Sequence, residues 1–445
     1  MEIKIESSKL IKPFYEDDTT PLPTSDHVPF TVFDTVTFDA HIALIYAYRP
    51  PVPSNAEIEL GLRKVLAKYR TLAGRIDENE KGERIVLLND KGSRFIEASA
   101  DFNFDQIMPL TPSPDILSLH PPLKGVEELM QVQLTRFSCG SLVVGFSSHH
   151  QVADGYSTSR FLVAWGRACR GLDIGAPPIY DRSFFTPRNP PIIEFEHKGA
   201  EYTIKKDDIN YDHHKNDTLG AEEVVVVQKF HFTLNFLNKL RSKASSSIES
   251  TNENPNKPYS KFVSLLAHLW RAITRARGLT GVQKTSVRIA VNGRRRLKPR
   301  VPDEYFGNVV LWAFPTARAK DLLNQPLQYA TKIIHDAIVN VNNDYFRSFI
   351  DFSKSSEENK DIVPSANMSL HVLSPNIEVD SWMNFPFYDL DFGQGKPFTF
   401  MPTYFPTEGM MFVLPSFLDD GSMDAVIPLF HSNLDSFKQI CYSMD

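Results

Sequence analysis

The sequence predicts an α/β protein with two domains. At 445 residues the chain is too long for a single hydrophobic core and suits two domains of roughly 200 residues each. Segments with helical periodicity alternate with short apolar strands, and this mixture occurs on both sides of one polar, proline-containing stretch. We therefore predict an N-terminal domain at 1–188, a crossover linker at 189–221 and a C-terminal domain at 222–445.

The N-terminal half contains two predicted helices and a hairpin. Apolar residues recur with helical spacing over 56–69, directly after Ser54, which can cap the helix. A short strand follows at 85–88. The apolar runs 132–137 and 142–147 flank a Ser-Cys-Gly turn and predict an antiparallel hairpin, and a second helix follows at 157–170.

The C-terminal half repeats this mixture of helices and strands. A strongly amphipathic pattern predicts a helix at 260–277, and a further helix is predicted at 326–345. Short apolar runs at 287–291 and 309–314 predict buried strands. A late hairpin pairs 410–414 with 424–429 around Asp419-Asp420-Gly421.

Composition excludes several classes of partner. The net charge of −6 does not favour nucleic acid, whose phosphates need a basic surface. No apolar run approaches the roughly 20 residues that span a bilayer, so we expect no membrane insertion. The charged opening Met1–Glu6 has no apolar core, so we expect no signal peptide. Three scattered cysteines give no disulfide framework and no metal pattern, and they favour a cytoplasmic location.

The segment His149–Gly155 is the strongest candidate for chemistry. His150 follows an apolar strand, and Asp154 comes four residues later, before Gly155. Histidine titrates near neutrality and can accept and return a proton. A satisfied structural pair is the alternative reading of the same residues. Sequence alone does not decide whether Asp154 touches His150, but it favours a structural ion pair for Asp154, with Arg294 as a bidentate partner.

Several familiar catalytic motifs are absent from the sequence. We find no G-x-G-x-x-G after a strand, no P-loop, no H-E-x-x-H and no G-x-S-x-G. His150 is therefore better cast as a lone general base than as a member of a triad. A lone base suits direct transfer, in which it deprotonates an alcohol or amine that attacks an activated acyl group.

Five motifs in order carry a resemblance to a known family. The pair formed by His150-x-x-x-Asp154-Gly155 and Asp391-Phe392-Gly393-Gln394-Gly395 resembles the paired signature of the plant BAHD acyl-CoA-dependent acyltransferases. The segments Ala73-Gly74-Arg75, Ser260 to Arg271 and Tyr305-Phe306-Gly307-Asn308 also resemble segments of that family. Five motifs in the family's order make the resemblance specific.

The resemblance implies a chloramphenicol-acetyltransferase-like fold with mixed sheets, flanking helices and a channel between the two domains. It implies a monomer with acyl-CoA as co-substrate and with neither a permanent cofactor nor a metal. His150 would be the general base. The other motif residues would be structural, and these are Asp154, Gly155, Arg294, Asp391, Gly393 and Gly395.

One position departs from the family pattern. The family motif usually has Trp where this chain has Gln394. In some members that Trp is thought to help stabilise the tetrahedral oxyanion. Its loss leaves the role to Gln394 itself or moves it to a neighbour such as Thr399.

The acceptor is indicated by a resemblance to one branch of the family, which transfers hydroxycinnamoyl groups to amines such as agmatine. The segments 377–382, 385–390 and 419–425 carry that resemblance. Branches that acylate shikimate or quinate have an Arg where this chain has Asn384, and losing that cation argues against an anionic acceptor. Acidic side chains that could bind a cationic tail are Asp34, Glu378 and Asp380, although solvated carboxylates are the plainer interpretation of each.

The donor site is less well marked. CoA phosphates would suit Ser260 and Lys261 at a helix start, where backbone N–H groups favour anions. Arg288 and Lys396 are weaker candidates for the same role. The sequence thus predicts a transferase with two small-molecule substrates, a hydroxycinnamoyl-CoA as donor and an amine as acceptor. The alternatives are transfer to an alcohol or phenol, and a non-catalytic member of the family that only binds a ligand.

Overall fold

The computed structural model describes residues 1–16, 26–204, 223–246, 258–356, 361–366 and 372–444. The strands are β1 (Lys4–Ile11), β2 (His27–Pro29), β3 (His41–Tyr48), β4 (Arg75–Glu78), β5 (Arg84–Leu87), β6 (Ser93–Ala100), β7 (Met130–Phe137), β8 (Leu142–His149), β9 (Tyr202–Ile204), β10 (Val225–Phe232), β11 (Lys284–Asn292), β12 (Val310–Ala313), β13 (Thr316–Arg318), β14 (Ile362–Pro364), β15 (Ile377–Ser381), β16 (Thr399–Pro402), β17 (Met410–Pro415) and β18 (Met423–Phe430). The helices are α1 (Val32–Val36), α2 (Asn55–Leu66), α3 (Gly155–Cys169), α4 (Leu234–Ser245), α5 (Lys261–Ala276), α6 (Ala319–Asn324), α7 (Leu327–Asn340), α8 (Asn343–Ser356) and α9 (His431–Ile440). Across these ranges no helix combines the length and the apolarity that crossing a membrane requires.

The first sheet has the strand order β1-β6-β7-β8-β3-β16 and is mixed, because β6 and β7 run parallel while their neighbours are antiparallel. Helices α2 and α3 pack against each other, with Leu62 and Trp165 in the same core as Val144 of β8. The last strand, β16, comes from residues 399–402 and pairs with β3. The predicted C-terminal domain therefore supplies one strand to the sheet of the predicted N-terminal domain.

The second sheet has the strand order β10-β18-β17-β15-β11-β12, and β13 pairs with the start of β11. Strands β11, β15 and β17 run parallel to one another. Burial alternates along β11: Val287, Ile289 and Val291 face the apolar core that contains α5, while Arg288 and Ala290 face the other way. This alternation leaves one face of the second sheet free to line a cavity.

The domain boundaries stay predictions, and residues 205–222, which include the end of the predicted linker, lie outside the described residues. Most predicted elements are confirmed within a few residues, including both hairpins, which are β7–β8 and β17–β18. The single helix predicted at 326–345 is wrong. It ends at Asn340, and the side chain of Asn342 accepts hydrogen bonds from the backbone N–H groups of Asp344 and Tyr345 to begin α8.

Candidate active site

A cavity of about 930 Å³ lies between the two sheets. Ile42 and Leu44 of β3 with Phe146 of β8 line one side, and residues of β11, β15 and β17 line the other. The wall is rich in aromatic side chains, among them Phe38, Trp312, Trp382, Phe385 and Phe387. Apolar, aromatic walls suit a flat acyl group such as a cinnamoyl unit.

His150 lines this cavity directly after the end of β8. Its backbone N–H donates to the carbonyl of Ala40, which fixes the chain where it leaves the strand. Its ring Nδ1 lies 3.1 Å from Oγ1 of Thr37, and the ring lies edge-on to Phe38 with centroids 5.8 Å apart. One side of the ring is therefore held by a hydroxyl and an aromatic ring.

Burial is the main cause of a lowered pKa for His150, and the nearby charge of Asp154 opposes it. A histidine with a lowered pKa is neutral at physiological pH. A neutral imidazole has an unprotonated nitrogen and can accept a proton, as a general base must.

Asp154 does not pair with His150 in the structure. It is the N-cap of α3, and its Oδ1 accepts a hydrogen bond from the backbone N–H of Ser157 at 2.9 Å. Arg294 donates to both carboxylate oxygens, at 2.7 and 3.1 Å, and the backbone N–H of Val309 donates to Oδ2. The buried pair therefore links α3 of the N-terminal half to the segment after β11.

Gly155 is a site of close packing, and the glycines of the Asp391 turn adopt backbone angles that favour glycine. A Cβ on Gly155 would lie 2.8 Å from the ring of Phe385, which lines the cavity. Asp391 Oδ1 accepts hydrogen bonds from the backbone N–H groups of Gly393 and Gly395, both of which have positive φ angles. The second oxygen of Asp391 pairs with Arg170 at 2.9 Å. The turn thus supports the fold and does not reach the cavity.

The structure corrects the expectation for Asp34. Its side chain is buried at the start of α1, where it forms a capping box with Thr31. Its Oδ1 also accepts hydrogen bonds from the backbone and side-chain N–H groups of Asn308. Because these contacts occupy the carboxylate and it does not line the cavity, Asp34 is not placed to bind an acceptor.

Both oxyanion candidates lie outside the cavity. Gln394 is exposed in the Asp391 turn, and Thr399 lies on β16, where it pairs with Ala47 of β3. Neither side chain is placed to contact an acyl group bound beside His150. Both expectations are therefore corrected.

Glu378 and Asp380 do line the cavity. They lie two residues apart on β15, so their side chains are on the same face of the second sheet. Burial is the main cause of a raised pKa for both carboxyl groups. The pKa of Asp380 is raised to about 7. A positive charge beside these two carboxyl groups would favour their ionised forms.

The donor candidates separate into two groups. Ser260 caps α5, and both Ser260 and Lys261 line the cavity, together with Arg295 and Arg296 after the end of β11. Lys396 is exposed and pairs with Asp389, away from the cavity. Arg288 lies 3.6 Å from Glu378, so it belongs to the acidic end and not to a phosphate site. The expectations for Lys396 and Arg288 are corrected.

Sequence reasoning missed several residues that shape the site. Thr37 gives no local signal, because its contact with His150 spans 113 residues. The side chain of Asn308 donates to the carbonyls of His150 and Gln151, and this residue is the last of the Tyr305-Phe306-Gly307-Asn308 segment. Over the described ranges, no cluster of three or more His, Cys, Asp or Glu side chains could hold a metal ion.

Comparison with known proteins gives a consistent result. The chain matches the Transferase family over residues 1–444. It is 49% identical over 449 residues to putrescine hydroxycinnamoyltransferase 3 of Oryza sativa subsp. japonica, with 100% of both chains covered. It is 48% identical over 451 residues to agmatine coumaroyltransferase-1 of Hordeum vulgare, again with 100% of both chains covered.

Two solved structures share the fold. Vinorine synthase superposes with a TM-score of 0.72 at 23% sequence identity, covering 98% of this chain and 96% of that one. TRI101 of F. sporotrichioides, complexed with coenzyme A and T-2, superposes with a TM-score of 0.75 at 17% identity, covering 93% of this chain and 97% of that one. These superpositions confirm the predicted fold class.

Proposed function

The chain belongs to the Transferase family, the BAHD acyl-CoA-dependent acyltransferases, and on this basis we propose that it transfers a hydroxycinnamoyl group from CoA to a small cationic amine. One observation carries the choice of acceptor. The cavity that contains His150 is also lined by the buried carboxyl group of Glu378 and the partly buried one of Asp380. Agmatine and putrescine, which occur in the names of the relatives, are amines with a second cationic group.

His150 is the general base of the proposed reaction. A neutral ring that carries its proton on Nδ1 donates to Oγ1 of Thr37 and leaves Nε2 free for the acceptor. Nε2 takes a proton from the amine as the amine nitrogen attacks the thioester carbonyl. The new C–N bond forms, the C–S bond breaks, and the proton passes from the imidazolium to the leaving sulfur to give the amide and free CoA.

The acceptor is oriented by charge at its far end. Its second cationic group binds at Glu378 and Asp380, while the reacting nitrogen lies near His150. Phe38 contacts the ring of His150, and its own ring lies 5.8 Å from the guanidinium of Arg288, which pairs with Glu378. Phe38 therefore neighbours both the base and the arginine beside Glu378, so the two ends of the proposed acceptor site share one aromatic side chain.

The CoA phosphates bind at the opposite end of the cavity. Lys261 reaches the carbonyl of Gly421, in the loop that follows β17. Glu378 is the register partner of Met410, the first residue of β17. Met410 lies five residues, or about 17 Å, from the end of β17 that leads into the Gly421 loop. The α5 N-terminus and the side chains of Lys261 and Arg295 supply positive potential there. The cavity is thus basic at one end and acidic at the other.

A product analysis tests the proposed reaction. The protein is incubated with p-coumaroyl-CoA and an equimolar pool of agmatine, putrescine, tryptamine and shikimate, and the products are identified by mass. We expect the amides of agmatine or putrescine and a matching release of CoA thiol. An ester of shikimate as the main product would instead show a hydroxyl acceptor, and no thiol release with any acceptor would show a non-catalytic protein.

We further propose that the enzyme acts as a cytoplasmic monomer. The resemblance to the family supports the monomer, and the cavity of this one chain brings together His150, Glu378 and Lys261. Cys139, Cys169 and Cys441 are free thiols, as suits a reducing compartment. Light scattering coupled to size-exclusion chromatography tests whether the protein is a monomer, and a mass near twice 50.5 kDa would contradict a monomer.

A further inference from the structure

Arg288 is an unusual neighbour for a site that binds cations. Its guanidinium carbon lies 4.0 Å from the ring centre of Trp312 and 5.9 Å from that of Phe314. One nitrogen lies 3.6 Å from Oε2 of Glu378, while Nε and Nη2 are buried and find no hydrogen-bond partner among the described residues. An arginine buried in this way is held by aromatic faces and by one carboxylate.

Strand register explains why Arg288 and Glu378 meet. Strands β11 and β15 are parallel neighbours, and Arg288 is the register partner of Glu378. Asp380 lies two residues further along the same face of β15. Oε1 of Glu378 is buried and, within the described part of the chain, has no hydrogen-bond partner. This oxygen is therefore available to an N–H group of a bound cation.

Charge at this end of the cavity can be counted. With a cation bound, Glu378 and Asp380 are both ionised and contribute two negative charges, while Arg288 contributes one positive charge. Among the described residues, four cations line the cavity itself, and they follow the α5 cap or the end of β11, at the basic end: Lys261, Arg294, Arg295 and Arg296. Arg294 is already paired with Asp154. The acidic end therefore holds one net negative charge.

We propose that Arg288 limits the acceptor to amines with one cationic group besides the reacting nitrogen, by neutralising one of the two carboxylates. This inference rests on the proposed amine acyltransferase function. A diamine or a guanidinoalkylamine matches the single remaining charge. A linear triamine brings a second charge into a site with low dielectric, where no carboxylate is left to pair with it.

Three variants form a charge series that tests this role. Arg288→Gln leaves two negative charges, Glu378→Gln leaves none, and the double variant restores one. The probes are putrescine, the triamine spermidine and the neutral-tailed amine tryptamine, each with p-coumaroyl-CoA. For each protein, kcat/KM is measured for the three amines.

The expected result is a shift in preference that follows the charge. Arg288→Gln should raise the spermidine-to-putrescine ratio of kcat/KM by roughly tenfold, because a second cation then has a partner. Glu378→Gln should raise the tryptamine-to-putrescine ratio instead. The double variant should return both ratios towards those of the wild type, an outcome that loss of packing at either residue would not produce.

Controls separate the possible failures. The matched control is Arg318→Gln, which should leave both ratios unchanged. Arg318 is an exposed arginine on β13, the strand that pairs with the start of β11. If Arg288→Gln fails to fold, Glu378→Gln and the double variant still carry the comparison. Ratios that stay fixed across the series while amides form would overturn the role of Arg288. Absence of amide in the wild type would overturn the proposed function instead.

Discussion

Replacing Asp380 with Asn should stabilise the free protein and weaken acceptor binding. Asn keeps the shape of the side chain and removes its charge. Burial, followed by the charge of Glu378, raises the pKa of Asp380 from 3.8 to about 7, and Arg288 opposes this shift. A carboxylate that is costly to ionise in the folded protein is a cost to stability that a bound cation can offset.

The size of the effect follows from linkage. A pKa that is higher in the folded state means that the folded state binds the proton more tightly. The stabilisation is complete below the unfolded-state pKa of about 4 and is lost as the pH rises through about 7. At 1.36 kcal/mol per pKa unit, the loss is about 4 kcal/mol for full desolvation. We expect about 2 kcal/mol, because Asp380 is only partly buried and faces a cavity that admits water.

The assay compares thermal unfolding midpoints of the wild type and Asp380→Asn at pH 5 and pH 8, without substrates. The variant should gain stability over the wild type as the pH rises, while its KM for agmatine increases about tenfold or more and its KM for p-coumaroyl-CoA does not change. Asp435→Asn, at a highly exposed position on α9, is the matched control.

Two results would contradict these roles of Asp380. A difference in midpoint that does not depend on pH would show that Asp380 is not held in a desolvated, protonated state. An unchanged KM for agmatine would show that the cation binds elsewhere.

Three further predictions concern Thr37, Asp154 and Gln394. Thr37→Val should lower kcat about tenfold or more with little change in KM, and it should shift the acidic limb of the pH–rate profile to lower pH, because the imidazolium of His150 loses a hydrogen-bond acceptor. Thr37→Ser should restore both kcat and the pH–rate profile. A normal profile in Thr37→Val would exclude a positioning role for Thr37. Asp154→Asn should lower the free energy of unfolding by about 3 kcal/mol or more, because it leaves Arg294 buried without its counter-charge. Denaturant unfolding that matches the wild type would contradict a stabilising role for this ion pair. Gln394→Ala should leave kcat within about twofold, because the side chain is exposed outside the cavity, and a large loss in a steady-state assay would place the turn at the active site.

Local signals were sufficient to place His150 at the end of a strand. The apolar run of β8 and the amphipathic pattern of α3 identify a strand and a helix, so the residues between them lie where the strand ends. The capping role of Asp154 follows from its position directly before the helix. The predicted pairing with Arg294 matches the contacts in the structure, because a buried carboxylate needs a partner and an arginine supplies two donors.

Long-range register could not be read in the same way. Arg288 and Glu378 are 90 positions apart and meet only because β11 and β15 are neighbours, an order that no local pattern reports. Thr399 was misplaced for the same reason, since β16 joins the first sheet although it lies far along the chain. Asp34 was misassigned because an acidic residue near a helix start caps the helix as readily as it binds a ligand.

The role of His150 is tested by comparing how wild type and His150→Ala form the agmatine amide. Both proteins are given p-coumaroyl-CoA and agmatine, the amide is quantified by mass, and binding of free CoA is measured by calorimetry. We expect the variant to lose on the order of 10²-fold or more in kcat while it binds CoA with unchanged affinity. A variant that makes the amide at a rate close to that of the wild type would contradict the assignment of His150 as the general base.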